Sequence, residues 1–141
     1  MVINGNLVMK IKLNEKQFKM FISNRLDAKE NKYHNKKIEY NGIKFDSIKE
    51  KNHYIALKQL EKAGIISDLQ LQVSFLLIDT IRHNGKTYPK TKYIADFTYK
   101  RDGKLIVEDV KSEITRKDKV YRLKIKLLLS KYPEIEFKEV I

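Results

Sequence analysis

The sequence predicts a mixed α/β fold with element order αβββαβ from Ser47 onward, and three observations carry that expectation. Asp102-Gly103 lies between two β-rich runs, Tyr93 to Arg101 and Lys104 to Val110, and a two-residue Asp-Gly loop is among the strongest short-range hairpin signals. Ser47 with Glu50 three residues on has the form of a capping box, and it opens a helical pattern that Gly64 stops. A basic helical stretch from about Thr115 to Lys131 is followed by Pro133 and a closing strand, Ile135 to Val140.

The elements follow in order. Asn14 caps a short amphipathic helix through about Leu26, with Phe18, Phe21, Ile22 and Leu26 on one face. Asp27 to Lys37 is a polar, Lys/Asn-rich linker or basic arm, so residues 1–32 form an N-terminal helical extension and 33–141 the main domain. Ile38 to Phe45 reads as a small hairpin around Asn41-Gly42. Ser47 then begins a helix of about seventeen residues. Ile66 to Arg82 is strand-rich, His83 to Lys86 a turn, and Tyr88 to Lys100 the next strand, with Pro89 confining its start to an edge or bulge.

Composition narrows the function. The 141 residues suit one domain with a real core. Lys and Arg number 30 against 18 acids, a net charge of +12, which favours a polyanionic partner, nucleic acid being the usual one. Cysteine is absent, which excludes disulfides and thiolate metal sites and is compatible with a reducing cytosol. The longest apolar runs, such as Val73 to Ile78, are too short to span a bilayer, and the N-terminus lacks a signal-peptide pattern, so a soluble cytoplasmic protein with no membrane partner is expected.

The Asp-Gly hairpin also sets a register. Pairing Arg101 with Lys104 makes partner positions sum to 205, which places Asp96 opposite Asp109, with Lys111 on the same face. At an effective dielectric of about 20, two charges about 5 Å apart repel by roughly 3 kcal/mol. A divalent cation is the simplest offset, because Mg²⁺ is commonly held by one or two carboxylates plus waters and substrate phosphate. A three-residue loop would instead set Asp96 against Glu108, and a solvated pair tolerated by neighbouring lysines is the plainer alternative.

Asp96, then Asp109-Val110-Lys111, with a helical Glu50 upstream, resembles the PD-(D/E)XK, restriction-endonuclease-like nucleases, whose core is also αβββαβ, a mixed sheet flanked by helices. Lys32 to Lys37, Phe45-Asp46-Ser47 with Glu50, Glu61 to Leu69 ending at Gln72, and Tyr93 to Phe97 look more closely like a phage-encoded family of small Holliday-junction-resolvase-like nucleases, long catalogued as a domain of unknown function. One departure is Ala95 where the superfamily's name has proline. The resemblance implies Mg²⁺- or Mn²⁺-dependent cleavage of DNA, with branched DNA as substrate and a homodimer fitting the two-fold symmetry of a four-way junction. It implies Asp96 and Asp109 as metal ligands, the Val110 carbonyl as another, Lys111 as the group that positions or deprotonates water, and Glu50 in the metal's inner or outer shell. Glu50 has a rival reading as a helix cap, and its spacing from Tyr54 and Leu57 turns it toward the core.

On the last helix, Lys117 and Lys124 flank Tyr121, and Lys119, Arg122 and Lys126 follow a second line; with Arg116 they are the candidate DNA contacts, a solvated helix face being the alternative. Lys51, Lys58 and Lys62 read as solvent-facing, and Gln72 as either near the metal or packed in a strand. The histidines lack ligand spacing, His53 reads as a helix-surface residue, and no Gly-rich phosphate loop follows a strand. The competing functions are a non-catalytic DNA-binding module with a vestigial metal site and a structural partner protein.

Overall fold

The computed structural model describes residues 15, 16 and 37–141. Glu15 and Lys16 are helical; the rest of the expected N-terminal helix, and all of the linker but Lys37, lie outside the described residues. The chain divides into two compact units, residues 1–69 and 70–141.

In the first unit, β1 (Ile38–Tyr40) and β2 (Ile43–Phe45) pair antiparallel across Asn41 and Gly42, both at positive φ (51° and 76°). That is the backbone a two-residue hairpin loop requires, and Asn and Gly reach it most cheaply. Helix α1 (Ile48–Lys62) starts where Ser47 Oγ accepts the Glu50 N–H at 3.0 Å. Its buried side includes Glu50, His53, Leu57 and Leu60, at spacings of three and four residues. His53 is therefore not the surface residue expected from its sequence: it lies on the Leu57–Leu60 stripe and is 1% exposed. Phe45 and Tyr54 bring their ring centroids to 5.2 Å. After the helix, Glu61 Oε2 accepts the Leu69 N–H at 2.9 Å while Lys58 holds Oε1 at 3.0 Å; those two donors hold its carboxyl below the usual range.

The second unit is built on a mixed four-stranded sheet of order β3-β6-β7-β8, where β3 (Ser67–Ile78) starts across the division, β6 is Thr91–Arg101, β7 Lys104–Val110 and β8 Glu136–Val140. β6 and β7 are antiparallel, with Arg101 opposite Lys104, and β7 and β8 are parallel. Between β3 and β6, β4 (Ile81–His83) and β5 (Lys86–Tyr88) form a separate two-stranded ribbon around Asn84-Gly85. Parallel pairing of β7 with β8 demands a crossover, supplied by helix α2 (Lys119–Lys131). Its Tyr121 and Leu128 join Phe75, Leu77, Tyr93, Ala95, Val107 and Ile135 in one core cluster.

The expected helix from Thr115 to Lys131 is in fact two pieces. Thr115–Lys117 is a short 3₁₀ turn, Asp118 is extended, and its Oδ1 accepts the Tyr121 N–H at 2.8 Å to cap α2. An Asp that caps cannot also sit mid-helix, so Lys117 does not share a helical line with Tyr121 and Lys124. Among the described residues no helix is long and apolar enough to cross a membrane.

Leu128 is fully buried where α2 joins the sheet residues of the core. Leu128→Ala is expected to lower unfolding free energy by about 3 kcal/mol in urea denaturation; a loss below about 1 kcal/mol would mean that this face is loosely packed.

Candidate functional site

The β6–β7 pairing runs from Arg101↔Lys104 to Phe97↔Glu108, so Asp96 and Asp109 are the next positions in the same register. A two-residue loop makes Arg101 and Lys104 a hydrogen-bonded rung, and every second pair repeats it, so the Val110 N–H would next meet Ala95. Instead, Asp96 Oδ2 accepts the Val110 N–H at 2.9 Å, and the ladder stops there. The other Asp96 oxygen, Oδ1, accepts from Gln72 Nε2 at 3.3 Å. Gln72 sits in β3 at φ 53°, a left-handed conformation that costs a non-glycine residue roughly 1–2 kcal/mol. Within a strand such a residue re-aims its side chain, and here the amide meets Asp96.

Asp109 is 1% exposed. Its Oδ2 accepts from the Tyr93 hydroxyl and lies 3.3 Å from Lys111 Nζ, whereas its buried Oδ1 has no hydrogen-bond partner. Burial, and then the hydrogen-bonding contact and negative charge of Asp96, push its carboxyl up to about 7 against the opposing pull of Tyr93 and Lys111. The neighbouring acid is itself an acceptor, so a shared proton or a shared cation is what satisfies both. This donor set fits a hard divalent ion: two carboxylates, one of them with an oxygen lacking any donor. Among the described residues no group of three or more His, Cys, Asp or Glu gathers as a metal cage, so such an ion would complete its shell with water or phosphate.

Lys111 is held on two sides, by Asp109 and by the Tyr121 ring at 5.3 Å from Nζ. Tyr121 in turn donates to Glu139 Oε1 at 2.9 Å, and Arg116 Nε meets Glu139 Oε2 at 3.5 Å. Burial, then the bond to Glu139, raises the Tyr121 hydroxyl's pKa, which keeps it a donor. Glu139 is Asp109's partner in the parallel β7–β8 register, but its carboxylate is occupied by Tyr121 and Arg116. An open pocket of about 510 Å³ is lined by Arg116, Lys117, Tyr121, Arg122, Ile125 and Glu139.

Of the four expected catalytic residues, Asp96, Asp109 and Lys111 come together in the second unit; Glu50 belongs to the first, buried on α1. Glu108 does not face Asp96: it lies opposite Phe97 and accepts from the buried Tyr99 hydroxyl. Among the expected DNA contacts, Arg116, Lys117, Tyr121 and Arg122 line this pocket, while Lys119, Lys124 and Lys126 are outside its lining. Tyr121 is 9% exposed, its ring and hydroxyl both engaged by protein. Sequence reasoning missed Tyr93 and Glu139. Strand parity sets Tyr93 with Ala95 and Phe97, away from Asp96, but parity relates the faces of two strands only while they stay paired, and the β6–β7 ladder ends before Asp109.

The family model that matches the chain, over residues 30–141, is described as "Protein of unknown function (DUF1064)". No curated protein matches, and no solved structure does.

The raised Asp109 carboxyl links folding to pH. Unfolded, it titrates near 4; folded, near 7. The protonated group's contribution is complete below the unfolded value and is lost as pH rises through the folded one, at a slope of at most about 1.4 kcal/mol per pH unit. In chelator, the urea midpoint should therefore fall between about pH 5 and about pH 7.5, and Asp109→Asn should remove most of that fall. A wild-type midpoint with no Asp109-dependent fall would sink the burial account.

Proposed function

The chain belongs to the DUF1064 family, and on that premise we propose that it is a Mg²⁺- or Mn²⁺-dependent DNA endonuclease of the restriction-endonuclease-like kind. One observation carries the proposal: the buried Asp109 lies beside Asp96 with Oδ1 lacking a donor, and Lys111 Nζ is 3.3 Å from its other oxygen.

Asp96, Asp109 and the Val110 carbonyl would hold the ion. When bound, a divalent metal lowers the pKa of water and stabilises negative charge on a phosphate. The protein's own groups do the rest. Tyr93 and Lys111 both fix Asp109 Oδ2, which leaves Oδ1 as the oxygen free to ligate. Gln72 and the Val110 N–H hold the Asp96 carboxylate in place. Lys111, kept by the Tyr121 ring and Asp109, offers an ammonium to orient the attacking water or to meet charge on the phosphate. The cations of the Arg116–Lys117–Arg122 pocket provide phosphate contacts close to that lysine, with which they share Tyr121. Glu50 keeps its assignment as a further acid, on the resemblance alone.

The same resemblance supplies branched DNA, the four-way junction first, as substrate, acted on by a homodimer during phage recombination or replication in the cytoplasm of a bacterial host. Charge supports only the polyanion: the chain carries +12. A second reading, a non-catalytic DNA-binding module with a vestigial metal site, is favoured by the fact that both Asp96 oxygens already accept hydrogen bonds from Gln72 and Val110.

Labelled linear duplex, flap and four-way-junction DNA, incubated with Mg²⁺ or Mn²⁺, separate the two readings. Wild type should cleave at least one of them; Asp96→Ala and Asp109→Ala should bind it but leave it intact, and Lys111→Ala should slow cleavage on the order of 10²–10³-fold. Glu50→Gln tests its assignment separately, by lost cleavage at an unchanged urea midpoint. Cleavage that survives in either aspartate variant refutes the site, and binding without cleavage by wild type selects the second reading.

A further inference from the structure

The ribbon between β3 and β6 is exposed along its whole length. Every residue from 78 to 90 is exposed, and β4 and β5 pair only with each other, Ile81 opposite Tyr88, Arg82 opposite Thr87 and His83 opposite Lys86. An isolated two-stranded ribbon is at best marginally stable in water, because it has no face on which to bury its apolar side chains. Ile81 and Tyr88, an opposed pair, remain 52% and 47% exposed. Nothing in its own packing calls for this arm to project.

Its charge is more selective than its shape. Residues 78–90 contain Arg82, Lys86 and Lys90 against a single acid, Asp79, which lies at the base of the arm before β4 begins. Two copies meeting through this arm would oppose cation to cation, so a self-association surface is disfavoured. A polyanion is complementary, and a two-stranded β-ribbon has the width that the major groove of a duplex admits. Lys86 Nζ lies 5.2 Å from the centre of the Tyr88 ring, so a cation and a flat apolar ring are presented side by side.

Position adds a third argument. The arm ends in β6, the strand that carries Asp96, and the five steps from Thr91 to Asp96 cover about 17 Å of strand. That is about half of a duplex turn of roughly 34–36 Å, so one bound duplex has the length to meet both places. The geometry points to the β4–β5 arm as a second, groove-facing contact for duplex DNA, with Arg82 and Lys86 on phosphates and Tyr88 against the groove wall; the inference rests on the nuclease reading above.

Fluorescence anisotropy with the full-length protein and a labelled linear duplex, in EDTA and over a range of salt, tests it. Arg82→Gln/Lys86→Gln/Tyr88→Ala should raise Kd about tenfold and reduce the magnitude of the slope of log K against log salt by about 2, near 0.9 for each lost phosphate contact. The substituted side chains lie outside the core, so the urea midpoint serves as a folding control; Arg82→Gln/Lys86→Gln, which keeps the aromatic ring, should show the same slope change by itself. If wild type binds and cleaves while both variants retain its Kd and slope, the arm does not grip DNA and the nuclease reading stands. If wild type shows no salt-sensitive binding, both fall. An arm that instead drives concentration-dependent dimerisation, lost in the variants without change in DNA affinity, overturns this inference alone.

Discussion

Asp109 is a carboxyl group that folding removes almost completely from water and sets against a second acid, and burying a charge uncompensated costs several kcal/mol. Its surroundings answer that cost on one side only. Tyr93 and Lys111 converge on Oδ2, and Oδ1 is left without a donor. A sheet evolved for stability alone would fill such a position with an apolar residue, as it does at Val107, which is fully buried two residues earlier on the same strand. The unanswered oxygen is the reason to read this corner of the sheet as a place for chemistry.

The strands produce that corner by ending their pairing early. β6 and β7 are tied by the Asp102-Gly103 turn and stay in step to Phe97↔Glu108; at the next step Asp96 takes the Val110 N–H with its side chain, and Gln72, in a left-handed conformation within β3, steadies the other oxygen. On the far side of β7, parallel pairing with β8 brings Glu139 alongside Asp109, and the Tyr121–Glu139–Arg116 contacts link the acid pair to a basic pocket. Four strands and the segment leading into α2 thus meet at one end of the sheet, with acids on three of the strands and cations on the crossover.

Local signals were legible where one short segment decides its own conformation. The turns at Asn41-Gly42 and Asp102-Gly103 adopt positive φ at both residues, and the Ser47 cap forms at the start of α1. Where two roles compete for one residue, the pattern misled. Asp118 looked like one more polar residue inside a long helix, yet it caps α2 and divides that helix from a 3₁₀ turn. His53 looked solvated, yet its spacing from Leu57 and Leu60 carries it to the buried stripe.

The hairpin register and the meeting of Asp96 with Asp109 were determined by the sequence alone, because a two-residue turn and the alternation of a strand act over a few covalently linked residues. The strand expected to run to Arg82, by contrast, ends at Ile78 and gives way to the separate β4–β5 ribbon. Which partners those acids would have was decided only by tertiary structure. Tyr93 reaches Asp109 where the ladder has ended, Gln72 arrives from β3, and Glu139 lies beside Asp109 through a parallel pairing whose register no turn specifies. Such contacts join segments whose separation in sequence sets no geometry, and packing in three dimensions fixes them instead.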